Sequence, residues 1–281
     1  MNVIRIAAFS QNNKGGNPAG VVIADLFPSK QEMQQTAKQV GYSETAFLER
    51  RDDGWGIRYF SPDIEVPFCG HATIASGYVL GQQFGAGIYK LYLNAGDISV
   101  EVSEAPNGAY HIALQSPQTW SEHAPREYVD AILQCFNFSN SDIDSKYPPR
   151  FSFAGAKHLI LALKSRTTLA NMSYDFESLR ALMQNADLIT VNLVVIESNE
   201  TIHARNPFPP GGVYEDPATG AAAAALGGYL RDIGWQGSHK IEVLQGQDMG
   251  VPSRLVIEFT NIAGDSIKVS GEARYILPEP D

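Results

Sequence analysis

Short runs of alternating apolar and polar residues recur along most of this chain, and only a few stretches carry the three-to-four-residue spacing of a helix. Residues 3–9 and 20–24 predict strands on either side of Asn12-Asn13-Lys14-Gly15-Gly16-Asn17-Pro18, a run of turn formers. Ser29 with Glu32 makes a capping box, and Met33, Ala37 and Val40 share one face of the helix behind it, which Gly41 can stop. Residues 45–49 and 55–60 predict a hairpin across Asp52-Asp53-Gly54. Three further strands, 88–93, 98–102 and 110–114, are separated by Asn94-Ala95-Gly96-Asp97 and Pro106-Asn107-Gly108. Residues 115–125 show no periodicity and predict a domain boundary. Beyond them Val129, Ile132, Leu133 and Phe136 predict an amphipathic helix. Strands are expected at 159–163, 189–196 and 201–205, a helix at 217–231, and strands at 240–244, 254–259 and 266–269.

Comparing the chain with itself after a shift of 150 residues changes this picture. Between 65–80 and 215–230, seven of sixteen positions are identical: Glu65/Glu215, Pro67/Pro217, Gly70/Gly220, Ala72/Ala222, Ala75/Ala225, Gly77/Gly227 and Leu80/Leu230. Small-residue helices match easily, but the paired Glu-x-Pro and the preceding hairpins do not follow from composition. Two similar halves are expected, over 1–117 and 118–267, with the terminal segment 268–281 returning to the first. The helices at 70–80 and 220–230 are small and apolar nearly all round, so each should be enclosed. The expected fold is therefore α+β, each half a curved, mainly antiparallel sheet wrapped around one central helix.

The starts of these two helices carry the candidate chemistry. Amides of the first turn lack intrahelical partners and lie at the positive end of the helix dipole, which suits a carboxylate or an enolate-like intermediate. The matched positions differ in their side chains, with His71 opposite Ala221 and Asp216 opposite Val66, so a duplicated frame would carry an asymmetric site. Taken as single residues these groups have ordinary readings too. Glu44 can be a solvated strand-edge glutamate, His71 a satisfied core histidine, and Asp216 an N-cap with Pro217 at N1.

Composition then excludes several classes. Twenty-one basic against 31 acidic residues give a formal charge of −10 with no basic run, which argues against nucleic acid or an anionic membrane as partner. Cys69 and Cys135, 66 positions apart, predict a reducing compartment, and the first residues lack the apolar core of a signal peptide, so a cytoplasmic protein is expected. The six histidines, 71, 111, 123, 158, 203 and 239, show no paired ligand spacing, so no metal site is expected. No G-x-G-x-x-G or Walker-type loop is present, Ser43 lacks the second glycine of a nucleophile elbow, and no organic cofactor is implied.

Seven segments in order resemble one family: Gly16-Asn17-Pro18-Ala19-Gly20-Val21-Val22, Ser43-Glu44-Thr45-Ala46-Phe47, Phe60-Ser61-Pro62 with Glu65-Val66-Pro67, Cys69-Gly70-His71-Ala72-Thr73, Glu215-Asp216-Pro217-Ala218-Thr219-Gly220, Gln245-Gly246 and Val269-Ser270-Gly271. Over nearly its whole length the chain resembles the PhzF-like, or phenazine biosynthesis-like, proteins of the diaminopimelate-epimerase superfamily. The resemblance implies a cofactor-independent isomerase and a homodimer. It assigns catalytic roles to Glu44 as general acid/base, to His71 and to Asp216. Substrate binding falls to the helix starts at Gly70, Ala72, Thr219, Gly220 and Ala221, all expected to line one cleft between the halves. Two positions depart from the pattern. Ala221 stands where relatives carry serine or another polar residue, and Val251 where an arginine is frequent.

Three functions follow as expectations. The first is an isomerase that moves a proton within a small carboxylate-bearing substrate, Glu44 acting as the shuttle. The second is an amino-acid epimerase or racemase. The related epimerases place cysteines at both helix starts, and here only Cys69 fits, its counterpart being Thr219. The third is a non-catalytic small-acid binding protein.

Overall fold

A computed structural model of the chain describes residues 1–94, 96–106 and 108–277. Ala95 and Asn107, central to two of the expected turns, and residues 278–281 of the returning terminal segment lie outside the described residues. The chain forms two compact units, the first comprising Met1–Gln115 with the described residues from Ser270 onward, the second Ser116–Val269. The sequence placed these divisions at 117/118 and 267/268. Among the described residues no helix is long and apolar enough to cross a membrane.

In the first unit β1 (Ile4–Ser10) pairs antiparallel with β2 (Asn17–Ala24). The chain then crosses through α1 (Lys30–Val40), capped by the reciprocal Ser29–Glu32 hydrogen bonds and closed at the left-handed Gly41, to β3 (Glu44–Arg51), parallel to β2. Next come β4 (Gly54–Phe60) and the short β5 (Glu65–Val66), both antiparallel to their predecessors. Helix α2 (Gly70–Phe84) leads to β6 (Gly87–Leu93), which runs parallel to β4. A meander through β7 (Gly96–Glu104) and β8 (Tyr110–Gln115) completes this half. Within the unit α2 packs against β1, β2, β3, β7 and β8, and its Ala72, Ile74, Ala75, Val79 and Leu80 are fully buried.

The second unit opens with β9 (Trp120–His123) and α3 (Arg126–Cys135), then repeats the plan. β10 (Arg150–Phe153) pairs antiparallel with β11 (Lys157–Ala162). The helices α4 (Arg166–Ala170) and α5 (Phe176–Asn185) make the crossover to β12 (Thr190–Ile196), parallel to β11. Antiparallel β13 (Thr201–Phe208) and β14 (Val213–Asp216) precede α6 (Gly220–Asp232). Then β15 (Lys240–Gln245) runs parallel to β13, and β16 (Ser253–Glu258) turns back on it. From β10 to β16 the succession of parallel and antiparallel pairings is the one seen from β1 to β7. The last strand, β17 (Lys268–Tyr275), pairs with β1 through Ala8 and Ala273.

Three sequence expectations need correction. The helix expected over 217–231 begins at Gly220, because Asp216 stays on β14 opposite Asn206 and the chain bends at Pro217 before entering the helix. Thr219, not Asp216, is therefore the N-cap, and Pro217 is not N1. The helix expected to end at residue 80 runs to Phe84, since only Gly85, with φ of 90°, leaves helical geometry. The strand expected over 266–269 starts at Lys268, because Ile267 instead exchanges hydrogen bonds with Ser116. Short elements such as α4, β5, β9, β10 and β14 carry too few residues for a periodic signal.

Candidate active site

In the first unit, parallel pairing with β2 sets the start of β3 at Glu44, opposite Ala19. The N-cap of α2, Cys69, has an extended backbone and makes no side-chain cap. Two residues on, at the second helical position, stands His71. These elements bring four side chains together. Glu44 Oε2 lies 3.4 Å and Ser43 Oγ 3.3 Å from His71 Nε2, while Cys69 Sγ lies 3.3 Å from Nδ1 on the other edge of the ring. The His71 side chain is 9% exposed and that of Glu44 19%, so the carboxylate retains an open side. One tautomer satisfies these contacts together: Nε2–H donates to Glu44, and Nδ1 accepts from the Cys69 thiol.

Beneath this cluster the helix start is fixed from inside. Thr73 Oγ1 donates to the Cys69 carbonyl at 2.7 Å and therefore accepts, at 2.6 Å, from the hydroxyl of Tyr59 on β4. Tyr59 is buried, and desolvation pushes its pKa far above the ordinary phenol value. It remains a neutral donor and steadies Thr73, which holds the N-cap carbonyl while the first-turn amides of α2 point away from the helix. Gly70 is partly exposed there, whereas Ala72 is fully buried, backbone and side chain alike.

The second unit builds its helix start differently. The Thr219 side chain does not cap α6 but donates to Asp216 Oδ2 at 2.6 Å. Gln245, at the end of β15 and almost fully buried, binds both residues: its Nε2 donates to the Asp216 carbonyl at 2.6 Å and to Thr219 Oγ1 at 3.0 Å, and its Oε1 accepts from the Thr219 amide at 3.2 Å. Gly246 follows with φ of 74°, and a Cβ there would lie 2.4 Å from the Val251 carbonyl oxygen and 2.8 Å from that of Pro217. The Gln245-Gly246 pair is thus a clamp on the loop that presents Asp216, a role its sequence does not disclose. Thr219, Gly220 and Ala221 are all partly exposed at this helix start.

Each Glu-x-Pro glutamate is held by an arginine. Arg58 donates Nε and Nη2 to the two Glu65 oxygens at 2.7 and 2.8 Å, with Lys30 Nζ at 3.0 Å. The hydrogen bonds from Arg58, aided by those from Lys30, hold the Glu65 carboxyl at about 2 against the opposing effect of burial. Arg205 makes the same two-pronged contact with Glu215 and also donates Nη1 to the carbonyls of Leu169 and Ala170. The arginines escape the 150-residue comparison because their separations from the glutamate are 7 and 10 residues. The second hairpin contains three more residues, which accommodate a 3₁₀ turn at Pro209–Gly211.

Comparison with known proteins agrees with this architecture. A model of the family described as phenazine biosynthesis-like protein matches residues 6–277. The chain is 32% identical over 285 residues to "Uncharacterized isomerase YfhB" of Bacillus subtilis, covering 97% of this chain and 96% of that one. In structure it is similar to the PhzF-family phenazine biosynthesis protein of Bacillus anthracis, with TM-score 0.87, 23% identity and coverage of 98% and 96%. A probable proline racemase of Agrobacterium radiobacter, crystallised with bound carbonate, shares the fold at TM-score 0.62 and 10% identity, with coverage of 98% and 90%. The chain belongs to the phenazine biosynthesis-like, or PhzF, family.

Proposed function

We propose that this chain is an isomerase that moves a proton within a small carboxylate-bearing molecule, with Glu44 taking and returning the proton and no cofactor taking part. The observation that carries this reading is the Glu44–His71 contact of 3.4 Å beside a helix start whose N-cap side chain is engaged elsewhere. First-turn amides at a positive dipole end stabilise a carboxylate and the charge that develops on an enolate oxygen. His71, donating through Nε2, can orient the Glu44 carboxylate and then shift its hydrogen bond to a substrate oxygen. The related names, "uncharacterized isomerase" among them, support the reaction class. In the second unit, Asp216, Thr219 and the Gly220 and Ala221 amides would offer a further set of polar groups for the same class of substrate.

A second reading is a thiol-dependent epimerase, favoured by the Cys69 thiol against the His71 ring. Opposing it, the matching position in the second unit is Thr219, whose hydroxyl is committed to Asp216. One experiment separates the two. A thermal-shift screen of small carboxylic acids supplies a ligand, and proton exchange in D2O together with product formation is then followed in Glu44→Gln and Cys69→Ala. The proposal expects Glu44→Gln to lose about 10²–10⁴-fold in turnover with ligand affinity nearly unchanged. Retained turnover in Glu44→Gln, with loss in Cys69→Ala, would assign the reaction to the thiol.

A further inference from the structure

The Glu44–His71–Cys69 cluster has a property that proton transfer does not require. A carboxylate oxygen, an imidazole nitrogen and a thiol sulfur from these residues all lie within 4.8 Å of one another. Around His71 Nε2 the separations are 3.4 Å to Glu44 Oε2 and 3.9 Å to Cys69 Sγ. Four-coordinate zinc, with bonds of about 2.0–2.3 Å, sets neighbouring ligand atoms about 3.3–3.6 Å apart. Small side-chain rotations close that difference. Two of the three donors are buried, and all three sit on regular elements, the start of β3 and the first turn of α2.

We infer that Glu44, Cys69 and His71 form a binding site for Zn2+, and that its occupation stops the proton shuttle. A mixed sulfur, nitrogen and oxygen set selects a borderline-soft ion over Mg2+ or Ca2+, which take oxygen alone. Three protein ligands leave one position open, as in sites where zinc also holds water or a substrate oxygen. Binding takes the Cys69 thiolate and the lone pair of His71 Nε2: the ring carries its proton on Nδ1 instead of Nε2, and the thiol proton is released to solvent, so affinity rises with pH. The inhibitory consequence rests on the proposed role of Glu44; the binding itself does not.

The test is calorimetric titration of Zn2+ into the full chain after EDTA treatment, repeated with Co2+ to read the thiolate-to-metal charge-transfer band in the near ultraviolet. One ion per chain is expected. Cys69→Ala and His71→Ala should each weaken binding at least tenfold, and Cys69→Ala should abolish the band. Cys135→Ala, which changes the chain's other cysteine, should leave both intact. Circular dichroism confirms that each variant is folded, and Cys69→Ser serves if the alanine form is not. Where turnover is measurable, Zn2+ should inhibit at the concentration at which it binds, and EDTA should restore activity. Absence of binding, or a band that survives Cys69→Ala and disappears in Cys135→Ala, overturns the inference. Zinc binding without turnover on any acid would count against the proposed reaction and leave the metal site standing.

Discussion

The two units share one frame, and the comparison is sharpest rung by rung. Phe47 pairs with Arg58 in the first, and Leu193 with Arg205 in the second. Counting back three residues from Phe47 and from Leu193 sets Glu44 against Thr190. Each opens its strand, opposite Ala19 and His158 respectively. Where the first unit has a half-buried carboxylate reaching His71, the second has a closed relay: His158 Nδ1–H donates to Thr190 Oγ1, which donates to Asn206 Oδ1, each at 2.8 Å. All three residues are buried. The two units thus share the backbone and the arginine–glutamate clamp, while the matched rung carries a partly exposed carboxylate in one and a sealed relay in the other. The asymmetry expected from the helix starts extends one layer deeper, into the sheet.

The clamps offer the largest test of this comparison. Arg205 and Glu215 have side chains only 9% and 3% exposed, against 20% and 15% for Arg58 and Glu65. Removing one partner of a buried pair strands the other charge, at a cost of about 3–5 kcal/mol. Arg205 would also abandon the Leu169 and Ala170 carbonyls. Glu215→Ala should therefore lower the stability of the second unit by about that amount in urea unfolding. Glu65→Ala, whose arginine stays within reach of water, should cost less, about 1–3 kcal/mol, the depressed carboxyl setting the upper end. The first clamp has its own pH window. Glu65 is depressed in the folded state to about 2 from 4.5, so its contribution is complete above about 4.5 and disappears as pH falls towards 2. Equal losses for Glu215→Ala and Glu65→Ala would show that burial does not distinguish the copies.

Next in size is the sealed rung. His158 Nε2 has no hydrogen-bond partner among the described residues, and burial lowers the pKa of the ring to about 3 from 6.5. The unfolded chain thus binds a proton that the folded one refuses. Stability supplied by the neutral ring is complete above about pH 6.5 and falls as pH drops towards 3, by about 1.4 kcal/mol for each pH unit. In His158→Leu the Thr190 hydroxyl can still donate to Asn206, so the variant should fold, and its stability between pH 7 and 5 should vary less than wild type by about 2 kcal/mol. Parallel pH profiles for the two proteins would show that His158 titrates normally and that the rung is open.

How much of this was legible depends on distance along the chain. Enclosure of α2 and α6 followed from alanine and glycine on every face, and the α+β frame from hairpins set around a repeat. Meeting of Glu44 with His71 came from family resemblance, because 26 intervening residues and two antiparallel turns leave no spacing signal. Cys69 and Ser43 have the same difficulty: histidine spacing argued against a metal site, yet the three donors come from two elements that only the fold joins. Arg58 and Arg205 were hidden by three inserted residues in one hairpin. Asp216 before Pro217 reads locally as a helix cap, but the β13–β14 ladder holds it on a strand, a non-local constraint that local propensity does not register.

The smallest effect compares matched glycines inside the two helices, Gly77 and Gly227. A Cβ on Gly77 would meet Ile112 Cγ2 at 2.7 Å and Val100 Cγ2 at 2.8 Å, both methyls of β-branched residues on paired strands that cannot swing aside. On Gly227 the nearest atom would be Ile267 Cγ2 at 3.0 Å, and the next lies at 3.4 Å. Alanine in place of glycine within a helix is worth about 1 kcal/mol in backbone terms. Overpacking a full core costs about 1–3 kcal/mol. At Gly77 the clash should win, leaving Gly77→Ala about 1 kcal/mol less stable than wild type. At Gly227 a shift of a few tenths of an ångström by Ile267, which precedes β17 rather than lying within it, relieves the contact, so Gly227→Ala should fall within about 0.5 kcal/mol of wild type. Urea unfolding of both variants measures the difference. A Gly227→Ala loss as large as that at Gly77 would mean that α6 is gripped as closely as α2, and that the two enclosures, unlike the two rungs, are equivalent.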